Sequence, residues 1–179
     1  KRDFNSFGII FAGAQKNMGA AGVNLVVVNK QILGKVKRAI PNIMDYRNHI
    51  QAKSMLNTPP VFAIYVSMLT LRWLKENGGV EAIEKINNEK AALLYNTIDN
   101  SKLFKPTAAK EDRSKMNVCF VMENPEKEKA FLEFSKQNNI YGIKGHRSVG
   151  GFRASLYNAL PLSSVEYLVE KMKEFENKF

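Results

Sequence analysis

Lys16 lies among small residues, a setting in which a lysine amine can act as a nucleophile. The stretch AGAQKNMGAAG, residues 12–22, places alanine and glycine on both sides of it. Small residues let a flat ligand approach the backbone closely, and an amine held away from water can attack a carbonyl carbon to form a Schiff base. A solvated loop lysine is the simpler interpretation. The stretch is not a P-loop, because Gly19 is followed by alanine rather than lysine.

A second candidate site combines two arginines and a histidine with glycines in the segment GHRSVGGFR, residues 145–153. Arginine forms paired hydrogen bonds with carboxylate or phosphate, and glycine leaves room for the anion beside the backbone. Arg153 begins a predicted strand, which would hold its guanidinium rigidly. The segment therefore predicts an anion site, and a basic surface turn is an equally good interpretation.

A third candidate is the pair Asn57 and Thr58, which precedes Pro59 and Pro60 at a predicted helix start. Backbone N–H groups at a helix amino terminus, with a hydroxyl and an amide beside them, suit a phosphate. Thr58 acting only as the helix N-cap is the simpler interpretation. No histidine or cysteine cluster has the spacing of metal ligands, so no metal site is predicted.

The composition is that of an ordinary globular protein. The chain has 179 residues, 45% of them hydrophobic, and a formal net charge of +10. The basic residues are mixed with acids, as in EAIEKINNEK, and this pattern does not favour nucleic-acid binding. A single cysteine and the lack of an apolar run of roughly 18 residues predict a cytoplasmic protein without a membrane partner.

Residues 1–77 are predicted to contain two strands and two helices. The strands cover residues 7–12 and 22–28, a short basic helix covers 30–39, and residues 45–56 are irregular. The second helix begins near Pro60, and its large apolar residues at helical spacing predict a core face: Phe62, Tyr65, Val66, Leu69 and Trp73. This is too little to close a sheet layer, so we expect residues 1–77 to end a larger domain.

Residues 78–179 alternate helix and strand, which predicts a compact α/β domain. Helices are expected at 80–99, 126–137 and 162–175, and strands at 116–122, 140–143 and 152–156. The first helix is expected to bury a stripe of apolar residues: Ile83, Ile86, Leu93, Leu94 and Ile98. Cys119, in an apolar strand, is interpreted as an inert core residue.

Five segments, in order over nearly the whole chain, resemble the phosphoserine aminotransferase family of pyridoxal-phosphate (PLP) enzymes with fold type I. They are FAGAQKNMGAAGVNLVVV, MLNTPPVFAIY, LKENGGVEAIEKIN, KMNVCF and IKGHRSVGGFRASLYNALP. The combination of AGAQKN with GHRSVGGFRAS is specific to this family. The resemblance implies that residues 1–77 are the carboxy-terminal remnant of the large PLP-binding domain and that residues 78–179 are a small α/β domain.

The resemblance also implies roles for the cofactor-binding candidates. Lys16 would hold PLP as a Schiff base and later move the α-proton of the substrate, and Gln15 would touch the cofactor phosphate. Asn57 and Thr58 would reach the cofactor phosphate of the partner subunit. The active sites would then be shared across a homodimer.

For the substrate, the resemblance implies that His146 and Arg147 bind its phosphate across the interface and that Arg153 binds its α-carboxylate. The reaction would transfer an amino group between glutamate and 3-phosphohydroxypyruvate, giving phosphoserine and 2-oxoglutarate. A phosphorylated hydroxythreonine is a further substrate of the family, in vitamin B6 synthesis.

Members of the family are about twice as long as this chain, and the amino-terminal half, with its cofactor-binding loop, stacking aromatic and ring-nitrogen aspartate, has no counterpart here. We therefore expect the chain to be a fragment that is weakly active or inactive alone. Two other interpretations stay open. One is a basic anion- or nucleic-acid-binding module, and the other is a related PLP enzyme with a non-phosphorylated substrate, which the pair His146 and Arg147 does not favour.

Overall fold

A computed structural model describes residues 3–147 and 150–178 of the chain. The chain divides into two compact units, Lys1–Glu76 and Asn77–Phe179. The sequence placed a domain boundary one residue later, and the assignment of the two units to a cofactor domain and a small domain stays a prediction. Within residues 3–147 and 150–178, none of the helices combines the length and the hydrophobicity that a membrane span needs.

The first unit opens with an antiparallel hairpin. Strands β1 (Ile9–Gly13) and β2 (Asn24–Val28) pair along their whole lengths. Both strands are rich in β-branched residues, which favour the extended backbone. The intervening segment begins at Ala14, whose N–H donates to the Val23 carbonyl at 3.1 Å and so extends the hairpin by one step. Both predicted strands are confirmed, and each begins two residues later than predicted.

The predicted helix at 30–39 is wrong. Only a single 3₁₀ turn forms, at Lys30–Ile32, and the chain leaves it at Leu33 in an extended conformation. Gly34 follows with a φ of +73°, a left-handed conformation that breaks a helix. In the segment predicted to be irregular, a short helix α1 (Tyr46–Gln51) forms instead, because the Asp45 side chain caps it by accepting from Arg47 N–H.

Helix α2 covers Val61–Glu76 and begins two residues later than an N-cap at Thr58 would place it. Its first i→i−4 bond runs from Ile64 N–H to the Pro60 carbonyl at 3.1 Å, so Pro60 and not Thr58 takes the N-cap position. A residue before proline is pushed towards extended conformations, and Thr58 and Pro59 each precede a proline. The helix therefore cannot begin before Pro60.

The predicted core face of α2 is also wrong for this unit. The side chains of Phe62, Tyr65, Leu69 and Trp73 are all exposed, and Phe62 keeps 75% of its surface. The helix instead turns its small residues inward: Ala63 is buried and Ser67 is half-buried. Small side chains are needed there because the glycine-rich turn after β1 packs directly on this face, as described below.

The second unit is an α/β layer. Its elements are helices α3 (Gly79–Asn100), α4 (Pro125–Gln137) and α5 (Leu162–Glu176) and strands β3 (Phe104–Pro106), β4 (Asn117–Met122) and β5 (Phe152–Ser155). The strands form an antiparallel sheet in the order β3-β4-β5. The predicted strand at 140–143 is wrong, since only Lys144 makes a single bridge, to Phe152. The three-residue β3 was not predicted.

The core of this unit lies on one face of the sheet. Alternate residues of β4 and β5 point into it, Val118, Phe120 and Met122 from one strand and Phe152 and Ala154 from the other. The helices cover them with a buried stripe from α3 and with Phe131 and Phe175 from α4 and α5. In α3, Leu94 and Ile98 are buried as predicted, whereas Ile86 is exposed.

The ion pair between Asp99 and Arg113 makes the stability of this unit depend on pH. The two Arg113 Nη atoms donate to the two Asp99 oxygens at 2.7 and 2.6 Å, and these bonds lower the pKa of Asp99 below its usual 3.8. A carboxyl with a lowered pKa stabilises the fold above its unfolded pKa, and the contribution is lost as the pH falls through the folded pKa.

We therefore expect Arg113→Met to lower the free energy of unfolding by on the order of 1 kcal/mol near pH 7 and by less near pH 2, measured by urea unfolding. Asp99→Asn is the matched control, because it removes the titrating group. Equal losses for Arg113→Met at both pH values would contradict the prediction.

Candidate active site

Lys16 lies in the tight turn that links β1 and β2. The buried Ala14 anchors this turn, and its carbonyl accepts from Lys16 N–H at 2.6 Å and from Met18 N–H at 3.3 Å. The side chains of Gln15 and Lys16 are exposed on it. The prediction that the Lys16 amine is shielded from water is therefore not met within this unit, because the turn lies at its surface.

The small residues around Lys16 have a structural role. A Cβ on Gly19 would lie 2.8 Å from the Ser67 Cα and 2.6 Å from its Oγ, and a Cβ on Gly22 would touch Ala63 at 3.4 Å. These contacts seat the turn on the amino-terminal half of α2. The glycines thus fix where the Lys16 backbone lies, in addition to any space they leave for a ligand.

Asn57 and Thr58 are exposed just before α2. The Asn57 Nδ2 atom donates to the Thr58 carbonyl at 3.2 Å, which folds the two residues into one compact polar corner. They belong to the same unit as Lys16 and lie beside the helix on which its turn is seated. Their role towards a cofactor phosphate, in a partner subunit, stays a prediction.

The second unit carries His146, Arg147 and Arg153 on one hairpin. Gly145 N–H donates to the Gly151 carbonyl and Gly150 N–H to the His146 carbonyl, both at 2.8 Å. These bonds close a turn on which His146 and Arg147 are exposed. The predicted anion segment also includes Ser148 and Val149, which lie outside the described residues.

Arg153 is held by the sheet. It lies in β5 opposite Cys119 of β4, and its side chain is half-buried. Its Nε atom is buried and has no hydrogen-bond partner among the described residues. The residue lines a cavity of about 580 Å³ together with the segment after α4 and the start of α5. A buried donor without a protein acceptor beside a cavity suits an anionic ligand.

Cys119 corrects one sequence interpretation. It alternates with Val118 and Phe120, which are buried, and is itself only partly buried, on the same side of β4 as its cross-strand partner Arg153. The cysteine therefore lies beside the candidate carboxylate site and not in the core.

The lysine-bearing turn and the arginine-bearing hairpin both lie in a stretch that matches a known protein family. The aminotransferase class-V family matches residues 1–168. The chain belongs to the class-V aminotransferases. Its candidate lysine and its arginine-bearing hairpin both fall within the matched residues.

Several curated class-V aminotransferases are similar to this chain. The phosphoserine aminotransferase of Flavobacterium psychrophilum is 59% identical over 176 residues, which are 98% of this chain and 49% of that protein. The phosphoserine aminotransferase of Porphyromonas gingivalis is 54% identical over 178 residues. The chain therefore spans about half the length of the curated relatives it matches.

Solved aminotransferases share the fold. The phosphoserine aminotransferase of Bacillus circulans subsp. alkalophilus aligns with a TM-score of 0.93 at 40% identity, over 99% of this chain and 49% of that one. The Trichomonas vaginalis enzyme, described as PLP-bound, aligns with a TM-score of 0.85 at 42% identity, over 93% of this chain and 48% of that one. The α/β fold predicted from the resemblance, that of a fold type I PLP transferase, is confirmed.

The sequence did not predict one buried polar residue, which binds the segment that follows the hairpin of His146, Arg147 and Arg153. Lys90 of α3 is fully buried, and its Nζ donates to the carbonyls of Tyr157 at 2.9 Å, Leu160 at 3.0 Å and Leu156 at 3.3 Å. Burial lowers the pKa of this ammonium, whereas the three carbonyl dipoles favour its charged form. Its position four residues before the buried Leu94 was the available signal.

Gly151 fixes the hairpin that carries the anion-binding candidates. Its φ is +61°, and a Cβ there would lie 2.7 Å from the Phe120 carbonyl oxygen of the neighbouring strand. Gly150 has a similar φ of +76° but open space around its Cα. We expect Gly151→Ala to cost about 1–3 kcal/mol of unfolding free energy and Gly150→Ala about 1 kcal/mol, measured by urea unfolding. Equal costs would show that the approach to Phe120 contributes nothing.

Proposed function

We propose that this chain supplies the lysine-bearing turn and the substrate-binding hairpin of a PLP-dependent phosphoserine aminotransferase. The reaction transfers an amino group between glutamate and 3-phosphohydroxypyruvate and gives phosphoserine and 2-oxoglutarate, a step of serine biosynthesis. The observation that carries the proposal is the hairpin, which places Arg153 and the pair His146–Arg147 on one short element. In a homodimer, Arg153 of one subunit and the His146–Arg147 pair of the other supply two cationic groups to each site, which suits a substrate with a carboxylate and a phosphate.

The first unit fits PLP by the chemistry of its donors. Lys16 presents a primary amine on an exposed turn, Gln15 an amide beside it, and Asn57 and Thr58 an amide and a hydroxyl near a helix start. When bound, PLP supplies an electron sink for the pair left on the substrate α-carbon. Lys16 holds the cofactor through its Nζ and, once released from it, takes and returns the α-proton.

The second unit orients the substrate. Arg153, fixed by the β4–β5 ladder, binds the α-carboxylate through its guanidinium. His146 and Arg147, exposed on the turn, bind the phosphate of the substrate held in the partner subunit, so each substrate is bound by Arg153 of one subunit and by the His146–Arg147 pair of the other. Holding both ends of the substrate sets the direction of its α-carbon bonds, which decides the bond that breaks.

The site requires a second copy of the chain in this proposal. Asn57, Thr58, His146 and Arg147 serve the active site of the partner subunit, so the functional unit is a homodimer. The relatives are about twice as long as the 179 residues, and the chain alone is expected to be weakly active or inactive. A phosphorylated hydroxythreonine is a second expected substrate, and the cytoplasm is the expected location.

A hybrid enzyme tests the proposal. The 179 residues replace the matching 49% of the Flavobacterium psychrophilum protein, and the hybrid is assayed with glutamate and 3-phosphohydroxypyruvate. We expect turnover by the hybrid and a fall in kcat/KM of about 100-fold or more in a variant with His146→Ala and Arg147→Ala. Activity on hydroxypyruvate, which lacks the phosphate, should stay within about threefold of the unmodified hybrid.

The outcomes separate the interpretations. If the double variant keeps its preference for the phosphorylated substrate, the two residues do not bind phosphate. If the hybrid acts only on non-phosphorylated amino acids, the chain belongs to a related PLP enzyme. A hybrid that folds, binds PLP and shows no amino-group transfer to any keto acid contradicts the proposal.

A further inference from the structure

Burying the Lys90 ammonium costs desolvation free energy, and the packing of α3 does not need a charged residue at this position. Its side chain has no exposed surface, although neighbouring positions of the α3 stripe hold Ala91 and Leu94. An apolar residue of similar volume would fill the same space without taking an ammonium out of water. All three hydrogen bonds of the Nζ atom go to one segment, Leu156, Tyr157 and Leu160.

That segment follows β5 directly. Leu156 is the next residue after Ser155, and its N–H donates to the Met116 carbonyl at 2.7 Å. A second tie from α3 reaches the same segment, where Asn87 Nδ2 donates to Asn158 Oδ1 at 2.8 Å. Helix α3 thus holds the carboxy-terminal end of β5 at two points.

The segment and Arg153 face the same space. The cavity of about 580 Å³ beside Arg153 is also lined by Leu156 and Leu160, whose carbonyls Lys90 binds. Arg153 lies only two residues before the end of β5. A shift of the segment would move the wall of the cavity and the strand end that aims the guanidinium.

We propose that Lys90 is a positioning residue for Arg153: by holding the carbonyls of Leu156, Tyr157 and Leu160, it fixes the end of β5 and so the direction of the guanidinium into the cavity. The inference rests on the proposed function in that Arg153 binds the substrate carboxylate. Lys90 itself touches neither substrate nor cofactor.

The test observes Arg153 directly, by NMR of the 179-residue chain labelled with ¹⁵N-arginine. The Arg153 Nε–H resonance is assigned by its loss in Arg153→Lys. In Lys90→Met, which keeps the volume and removes the donors, we expect the exchange of this proton with water to rise about tenfold. Lys85→Met, an exposed lysine of the same helix, is the matched control and should leave the exchange unchanged.

A purely structural role would lower the stability of the unit and leave Arg153 alone. The same samples are therefore titrated with 2-oxoglutarate, read at the Arg153 resonance, and with inorganic phosphate, read at Arg147. We expect Lys90→Met to weaken 2-oxoglutarate binding about tenfold with phosphate binding unchanged. A folded Lys90→Met chain with wild-type Arg153 exchange overturns the proposal.

Asn87→Ala covers the case in which Lys90→Met does not fold, because it removes the second hydrogen bond between α3 and this segment and leaves the Lys90 bonds in place. We expect a smaller rise in Arg153 exchange, about threefold, and an unchanged rate would overturn the proposal. If the unmodified chain shows no response of Arg153 to 2-oxoglutarate, the role of Arg153 in the proposed function fails, while the exchange comparison still decides the role of Lys90.

Discussion

Replacing Arg153 with methionine is expected to reduce kcat/KM of the hybrid for glutamate by about 10²–10³-fold, which corresponds to about 3–4 kcal/mol. The guanidinium is the group placed beside the cavity with a buried donor that has no acceptor among the described residues. Methionine keeps much of the aliphatic packing and removes every donor to the carboxylate. Steady-state kinetics with varied glutamate measure the effect.

Arg153→Lys is the matched variant. It keeps the charge and loses the paired geometry of the guanidinium, so we expect a smaller reduction, about tenfold. Attachment of PLP at Lys16, which lies in the other unit, should be the same in both variants. If kcat/KM for glutamate of Arg153→Met stays within about twofold of the unmodified hybrid, Arg153 does not bind the substrate carboxylate.

Phe131→Ala is expected to produce the largest loss of stability, about 3–5 kcal/mol. The Phe131 ring is fully buried and lies 4.9, 5.1 and 5.2 Å, between ring centres, from Phe104, Phe175 and Phe152. The ring joins α4 to β3, β5 and α5, so its removal leaves a cavity that no single element can close. Urea unfolding followed by far-UV circular dichroism measures the change.

Phe134 of the same helix provides the control. It lies one turn further along α4 and is only half-buried, although it also contacts Phe175. We expect Phe134→Ala to cost about 1–2 kcal/mol. If the two variants lose equal stability, the aromatic cluster around Phe131 does not dominate the core.

The fold was predictable from the sequence where the apolar pattern and the packing agree. The strand of β4 alternates strictly between buried and half-buried residues, and α5 buries one stripe, so periodicity found both. The pattern failed for α2, because the helix packs on the turn through Ala63 and Ser67 and leaves Phe62 exposed. A glycine backbone that packs closely on a helix needs a small side chain opposite it, and the hydrophobic pattern of the helix does not show where such a contact will form.

Residue type and spacing identified the candidate site residues, but the sequence did not predict their burial or their contacts. Lys16 was expected to be shielded from water, yet it is exposed on its turn. The role of Gly19 in seating that turn depends on Ser67, which lies far along the chain. The burial of Lys90 was not predicted, because lysine is rarely buried. The three carbonyls that accept from it lie more than sixty residues further along the chain. Such long-range partners leave no local pattern.

Trapping the cofactor tests most directly whether Lys16 is the lysine that holds PLP. The hybrid is incubated with PLP, reduced with borohydride and digested, and the modified peptides are mapped by mass spectrometry. We expect one dominant adduct on Lys16, its loss in Lys16→Arg, and none on Lys30, which is exposed two residues after β2. PLP bound to the hybrid with Lys16 unmodified, or labelling spread over many lysines, would contradict it.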